Sequence, residues 1–137
     1  MTMSAANADA KLNADLNTGT GYLMLHVGNP GADGTANEAQ KPSAAGDIVR
    51  KALSMAAAGA HATNDEASSI SDAAVSWAGA DIATGQEISY ATIWDAESAG
   101  NLLHIFAITT PKTTGSDGVT IDAGDLEVAL DVFAKPA

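Results

Sequence analysis

The stretch Tyr22 to Gln40, YLMLHVGNPGADGTANEAQ, constrains this chain most. Successive side chains of a strand point to opposite faces, so Leu23, Leu25 and Val27 share one face and Tyr22, Met24 and His26 the other. Both faces carry bulk. The pattern predicts a strand over 22–28 that is buried on both sides or paired across an interface. Asn29-Pro30-Gly31 then makes a turn, because proline sets φ and glycine accepts the position after it. The loop that follows runs to about Gly46. Loops beyond roughly 12–15 residues are uncommon unless they bind something or lack order.

The remainder reads as short strands separated by turn residues. Ile88 to Trp94 and Leu102 to Thr109 are strands joined by the compact turn DAESAGN (95–101), a hairpin that Pro111 is expected to stop. Ala73 to Ala78 alternates as a short strand ending at Gly79. Lys112 to Gly118 is a polar loop, Val119 to Ile121 a short strand, and Asp122 to Asp125 a turn. Leu126, Val128, Leu130 and Val132 alternate with Glu127, Ala129, Asp131 and Phe133, as in a half-buried strand. Residues 48–62, IVRKALSMAAAGAHA, satisfy two templates: their propensity favours helix, and their alternation fits a strand. Ala5 to Leu16 holds helix formers, with Leu12 and Leu16 one turn apart, so 1–20 reads as a short helix or an arm. The expected fold is mainly β: an antiparallel β-sandwich, jelly-roll or Ig-like, over 21–137 with a short N-terminal helix.

Composition narrows the partners. The net charge is −11, from 17 acids against 6 bases. Such a surface repels nucleic acid and anionic membranes, which bind through Lys and Arg. No apolar run approaches the roughly 20 residues that span a bilayer. The polar N-terminus, which carries acids, does not read as a secretory signal. The chain has no cysteine, which excludes disulfides and thiolate metal sites. Thirty of the 137 residues are alanine, so large core-filling side chains are scarce and burial against another subunit becomes attractive.

Reactive constellations are missing from the sequence. His26, His61 and His104 have no metal-ligand spacing. Asp33, Asn37 and Glu38, and separately Asp122 and Asp125, could offer oxygen to a hard cation, but they follow no EF-hand pattern and read as turn formers. There is no G-x-S-x-G elbow, and GNPGADG lacks the GK[ST] ending of a phosphate loop. Trp94 reads as packing, followed by an Asp-initiated turn. The expectation is a non-enzymatic protein with no metal and no cofactor.

Three blocks in order carry a resemblance: YLMLHVGNPGADGTANEA (22–39), ISYATIWDAESAGNLLHIFAITTPKT (88–113) and VTIDAGDLEVAL (119–130). Together they resemble small tail-fibre-like or minor-tail virion proteins of tailed bacteriophages. The resemblance implies a β-sandwich with a short N-terminal helix, in a virion component without enzymatic activity. It also implies that 48–56 is a strand, through Arg50 to Met55, although KPSAAGD (41–47) departs from the family's glycine turn and leaves the helix alternative open.

On that basis the expected role is capsid decoration: a cement protein that stabilises the shell by bridging subunits. The alternative is a tail-fibre or minor tail protein with a receptor- or carbohydrate-binding role. Expected partners are the major capsid protein or tail subunits and further copies of the chain, as a trimer, on the virion exterior. Tyr22, Met24, His26, Asn29, Pro30, Gly31, Asn37 and Glu38 are the candidate subunit-contact residues. Deleting Gly31–Ala39 is expected to leave the domain folded and impair assembly.

Overall fold

A computed structural model describes residues 21–55, 66–124 and 126–131. The helix or arm expected over 1–20 lies outside the described residues. Among the described residues there are eight strands: β1 (Tyr22–His26), β2 (Lys51–Ala52), β3 (Glu66–Ile70), β4 (Val75–Trp77), β5 (Glu87–Trp94), β6 (Leu102–Thr113), β7 (Val119–Ile121) and β8 (Glu127–Asp131). One 3-10 turn, Pro42–Ala44, is the only helical element among the described residues. The mainly β expectation holds.

Strands β2-β1-β5-β6 form a four-stranded sheet in that order, and all its pairings are antiparallel. β3 pairs with β8, and β4 with β7, as two antiparallel two-stranded ladders. β1 is interior to its sheet, and Leu23, Met24, Leu25 and His26 are all buried. The bulk on both faces of this strand therefore reflects burial on both sides.

The core draws on both parts of the chain. Leu23 and Leu25 of β1 join Ala91 and Ile93 of β5, which lie opposite them in register. Val75 and Trp77 of β4, Val119 and Ile121 of β7, and Ile82 belong to the same cluster. Each fully buried Leu or Ile contributes roughly 1.5–3 kcal/mol. Trp77 is fully buried, and its indole N–H donates to the Val49 carbonyl at 2.7 Å. That bond ties β4 to the segment entering β2.

Two sequence expectations need correction. The helix reading of 48–62 fails over the described part, 48–55. Lys51 and Ala52 pair with β1, and Met55 bridges Ser71. Leu53 and Met55 are buried while Ala52 and Ser54 are exposed. Alternate burial beside an interior strand outweighs local helix propensity. Residues 56–62 lie outside the described residues.

Pro111, in turn, does not stop the hairpin, because β6 continues through it to Thr113. Tyr90 faces Ala107 while Ile88 faces Lys112, so β6 carries extra residues between those two pairs. Pro111 falls in that bulge, where no ladder hydrogen bond is asked of it.

Candidate contact surface

The loop after β1 is cross-linked by its own residues. The Asn29 carboxamide oxygen accepts the Gly31 N–H at 2.9 Å, the local bond that makes Asn a turn former. Gly34 N–H donates to Gly31 O at 3.1 Å and Ala36 N–H to Pro30 O at 2.9 Å. Asn37 closes the base, donating from Nδ2 to the Asn29 carbonyl at 2.9 Å. Gly31 and Gly34 sit at φ +75° and +70°, which glycine adopts without cost from a side chain.

The chain then returns along β1. Val27 N–H donates to Asn37 O at 2.8 Å, and Ala39 N–H to Leu25 O at 3.0 Å. Glu38 bridges His26, while Ile48 N–H donates back to Ala39 O at 3.0 Å. The free edge of β1 beyond β2 is thus covered by the loop itself, and Ala39 is fully buried. Gln40 extends the anchorage. Its backbone N–H donates to Gln86 Oε1 at 2.9 Å, and Gln86 Nε2 donates to its carbonyl at 3.0 Å. Its side chain donates to Asp47.

The loop also lies across one face of the sheet. A Cβ on Gly34 would stand 2.8 Å from Leu102 Cδ2 and 3.3 Å from the Trp94 ring, so the backbone rests on those two side chains. Beneath it runs a hydrogen-bonded row. Trp94 Nε1 bonds Thr92 Oγ1 at 2.8 Å, Thr92 Oγ1 bonds His26 Nε2 at 2.9 Å, and His26 Nδ1 bonds Ala36 O at 2.9 Å. Burial holds His26 below the usual imidazole range, against the opposing pull of its bond to Ala36 and of Asp47.

Beside the loop stands the β5–β6 turn. Asp95 initiates it: Oδ1 accepts the Asn101 N–H at 2.7 Å and Oδ2 the Asn101 amide at 2.9 Å. Those two bonds hold its carboxyl below the usual carboxylate range. Arg50 Nη1 donates to Ala96 O at 2.9 Å and Ala99 O at 2.6 Å, capping the turn. Glu38 lies near enough to feel Arg50, yet burial and Asp47 push its carboxyl up.

The expected contact residues separate into two sets. Asn29, Gly31 and Asn37 are exposed, and Tyr22 and Glu38 are half-buried. Met24, His26 and Pro30 are buried within the chain's own fold, and the His26 ring bonds the loop at Ala36 O. Reading the sequence passed over Arg50, Thr92 and Gly34. Arg50 is the chain's single arginine, a signal that was available. Thr92 and Gly34 carried none, because their parts depend on neighbours far along the chain. Among the described residues, no three His, Cys, Asp or Glu gather to hold a metal ion.

A mainly β unit whose most constructed feature is a cross-linked surface loop is suited to a structural protein that acts by contact. The model of the family described as Podophage GP4 fiber I protein gp80 matches residues 7–129, and the chain belongs to that family. No curated protein matches it. It is therefore a non-enzymatic virion structural protein of a tailed phage, associated with the tail. A fibre family supports the tail-fibre alternative over the expected capsid decoration.

Proposed function

We propose that this chain is a subunit of a podophage tail fibre and that it works mechanically, through contacts with other tail subunits. The observation that carries the reading is the fibre-family match over residues 7–129. The contact surface we assign comprises the exposed Asn29, Gly31 and Asn37 with the adjoining 95–101 turn, flanked by Tyr22 and Glu38. Loop and turn share supports, since Trp94 lies under Gly34 and under the Arg50 guanidinium that caps the turn. A surface ordered before binding loses less entropy on contact.

Three further parts belong to this proposal. The four-stranded sheet and the two ladders form the layers of an antiparallel sandwich, which the shared core around Trp77, Leu23 and Ile93 supports. Residues 21–137 form the folded unit, preceded by an arm or short helix over 1–20. The chain self-associates, as a trimer, which the scarcity of bulky side chains favours. A sugar-binding role finds less support: Trp77 and Trp94 are both buried, and Tyr22 and Tyr90 only half-exposed.

The test is cryo-electron microscopy of the native particle with antibody labelling of this chain, alongside sedimentation of the purified protein. Label at the tail is the expected result. Label distributed over the capsid faces would overturn the reading, and a monomer at all concentrations would remove the trimer.

A further inference from the structure

His26 is fully buried, and the hydrogen-bonded row it belongs to admits only one arrangement of protons at neutral pH. The Ala36 carbonyl can only accept, so His26 Nδ1 carries a hydrogen and donates to it. The Trp94 indole can only donate, so Thr92 Oγ1 accepts from Nε1. The Thr92 hydroxyl hydrogen then goes to His26 Nε2, which must be the bare, accepting nitrogen. Every polar atom in the row is satisfied, and the imidazole is neutral.

A proton added at Nε2 breaks this pattern. Nε2 becomes a donor facing the Thr92 oxygen, and the hydroxyl hydrogen that pointed at Nε2 loses its acceptor. The cation is also shut away from water beneath the loop. Opening the loop eases both penalties, because Ala36 O is the loop's own atom and its departure lets water reach the ring and accept the Thr92 hydroxyl hydrogen. We propose that His26 is an acid-sensitive latch on the loop 28–37, holding it against the sheet as the neutral Nδ1–H tautomer and releasing it on protonation.

The groups around His26 agree with that sense. Glu38 bridges it from the returning segment, Asp47 acts on it from further along, and the Tyr90 phenol lies opposite it on β5. Arg50 lies beyond Glu38, and Asp33, the one acid of the loop, is exposed. The bond to Ala36 O and, after it, Asp47 favour the charged ring, but burial opposes them more strongly, so the closed loop holds His26 below its ordinary value of about 6.5. A histidine lowered in the closed state contributes closure that is fully present above that ordinary value. The contribution is lost as pH falls toward the lowered one, roughly tenfold in the closing equilibrium per pH unit. Glu38 cannot produce the same opening. Its carboxyl is raised in the closed state, so acid favours closure there. The latch acts within one chain and does not depend on what the loop contacts in the virion.

The test is NMR on the isolated full chain from pH 7.5 to 5, following the His26 ring and the exchange of the Gly34 and Ala36 amides corrected for intrinsic rate. His26 is expected to titrate below 6.5, and protection of both amides to fall with its protonation. In His26→Gln the amide can donate to Ala36 O and accept from Thr92 without titrating, so protection should stay flat. Thr92→Val removes the hydrogen that keeps Nε2 an acceptor, and should move opening to higher pH. Should His26→Gln fail to fold, the wild type and Thr92→Val decide between them. Titration of His26 at or above 6.5, unchanged protection across the range, or the same opening in His26→Gln would each overturn the latch.

Discussion

The Arg50 guanidinium lies 3.9 Å from the centroid of the Trp94 ring. The same side chain donates to the carbonyls of Ala96 and Ala99, so one cation joins the segment before β2 to the β5–β6 turn. A cation–π contact contributes about 0.5–2 kcal/mol and hydrogen bonds from a charged donor about 1.5–3. Arg50→Ala is expected to lower unfolding free energy by roughly 2 kcal/mol, since such terms overlap. Lysine lacks the planar fork and should restore only part of it. Urea denaturation of the three proteins measures this. Equal stability of Arg50→Ala and the wild type would mean the contact is incidental.

Gly34 tests whether the loop is seated on the sheet. Alanine there needs φ near +70° and brings a methyl within 2.8 Å of Leu102 Cδ2. Backbone strain of about 1 kcal/mol or more adds to overpacking of about 1–3. Gly46 has a similarly positive φ, +109°, with nothing within 4 Å of its Cβ position. Gly34→Ala should therefore be clearly more destabilising in thermal melts than Gly46→Ala. Equal losses would show that only backbone strain matters and that the loop stands clear of Trp94.

The features legible in the sequence were those written locally. Alternation marked β1, β4, β5, β7 and the start of β6, and Asp95 announced its own turn. What escaped depends on partners distant along the chain. Glu38 and Ala39 carry no alternation, yet they pair with β1 because its edge beyond β2 is open to them. Pro111 reads as a stop until the bulge opposite Ile88 and Tyr90 is known. Nothing near Arg50 in the sequence names its partners, and only the fold brings Trp94 and the turn carbonyls to it. Met24 and His26 were expected at a contact because bulk on both faces of a strand does not say what covers each face.

The loop's anchorage argues against the expectation that removing Gly31–Ala39 leaves the domain folded. The deletion takes away the fully buried Ala39, the bond from Ala39 N–H to Leu25 O, and the His26 acceptor on Ala36. Trp94 and the His26–Thr92 pair would lose their cover. Against a total stability of about 5–15 kcal/mol, the expected outcome is loss of the cooperative unfolding transition. Circular dichroism melts of the deleted chain check it; a sharp transition would show that the loop is dispensable.

Glu38 gives a pH dependence of definite sign. Burial and Asp47 raise its carboxyl in the fold, with Arg50 opposing. A raised acid binds its proton more readily folded than unfolded, so its ionisation lowers stability as pH rises through the raised value. Glu38→Gln is expected to raise the melting temperature at pH 7, and the gain should vanish below about pH 4, where the wild-type carboxyl is protonated in both states. A gain of the same size at both pH values would assign the effect to packing.

Trp77 joins the β4–β7 ladder to the four-stranded sheet. It is fully buried, pairs with Val119 across the ladder, and donates to Val49 O at 2.7 Å. Phenylalanine fills most of the site but leaves that carbonyl without its donor and opens space where the larger ring stood. A lost hydrogen bond and a small cavity together cost about 2 kcal/mol. Trp77→Phe is therefore expected to lower the urea midpoint with an unchanged m-value. It should also speed amide exchange in β2 as well as β4, because the bond ties β4 to the segment entering β2. Acceleration confined to β4 and β7 would show that the ladder and the sheet are stabilised separately.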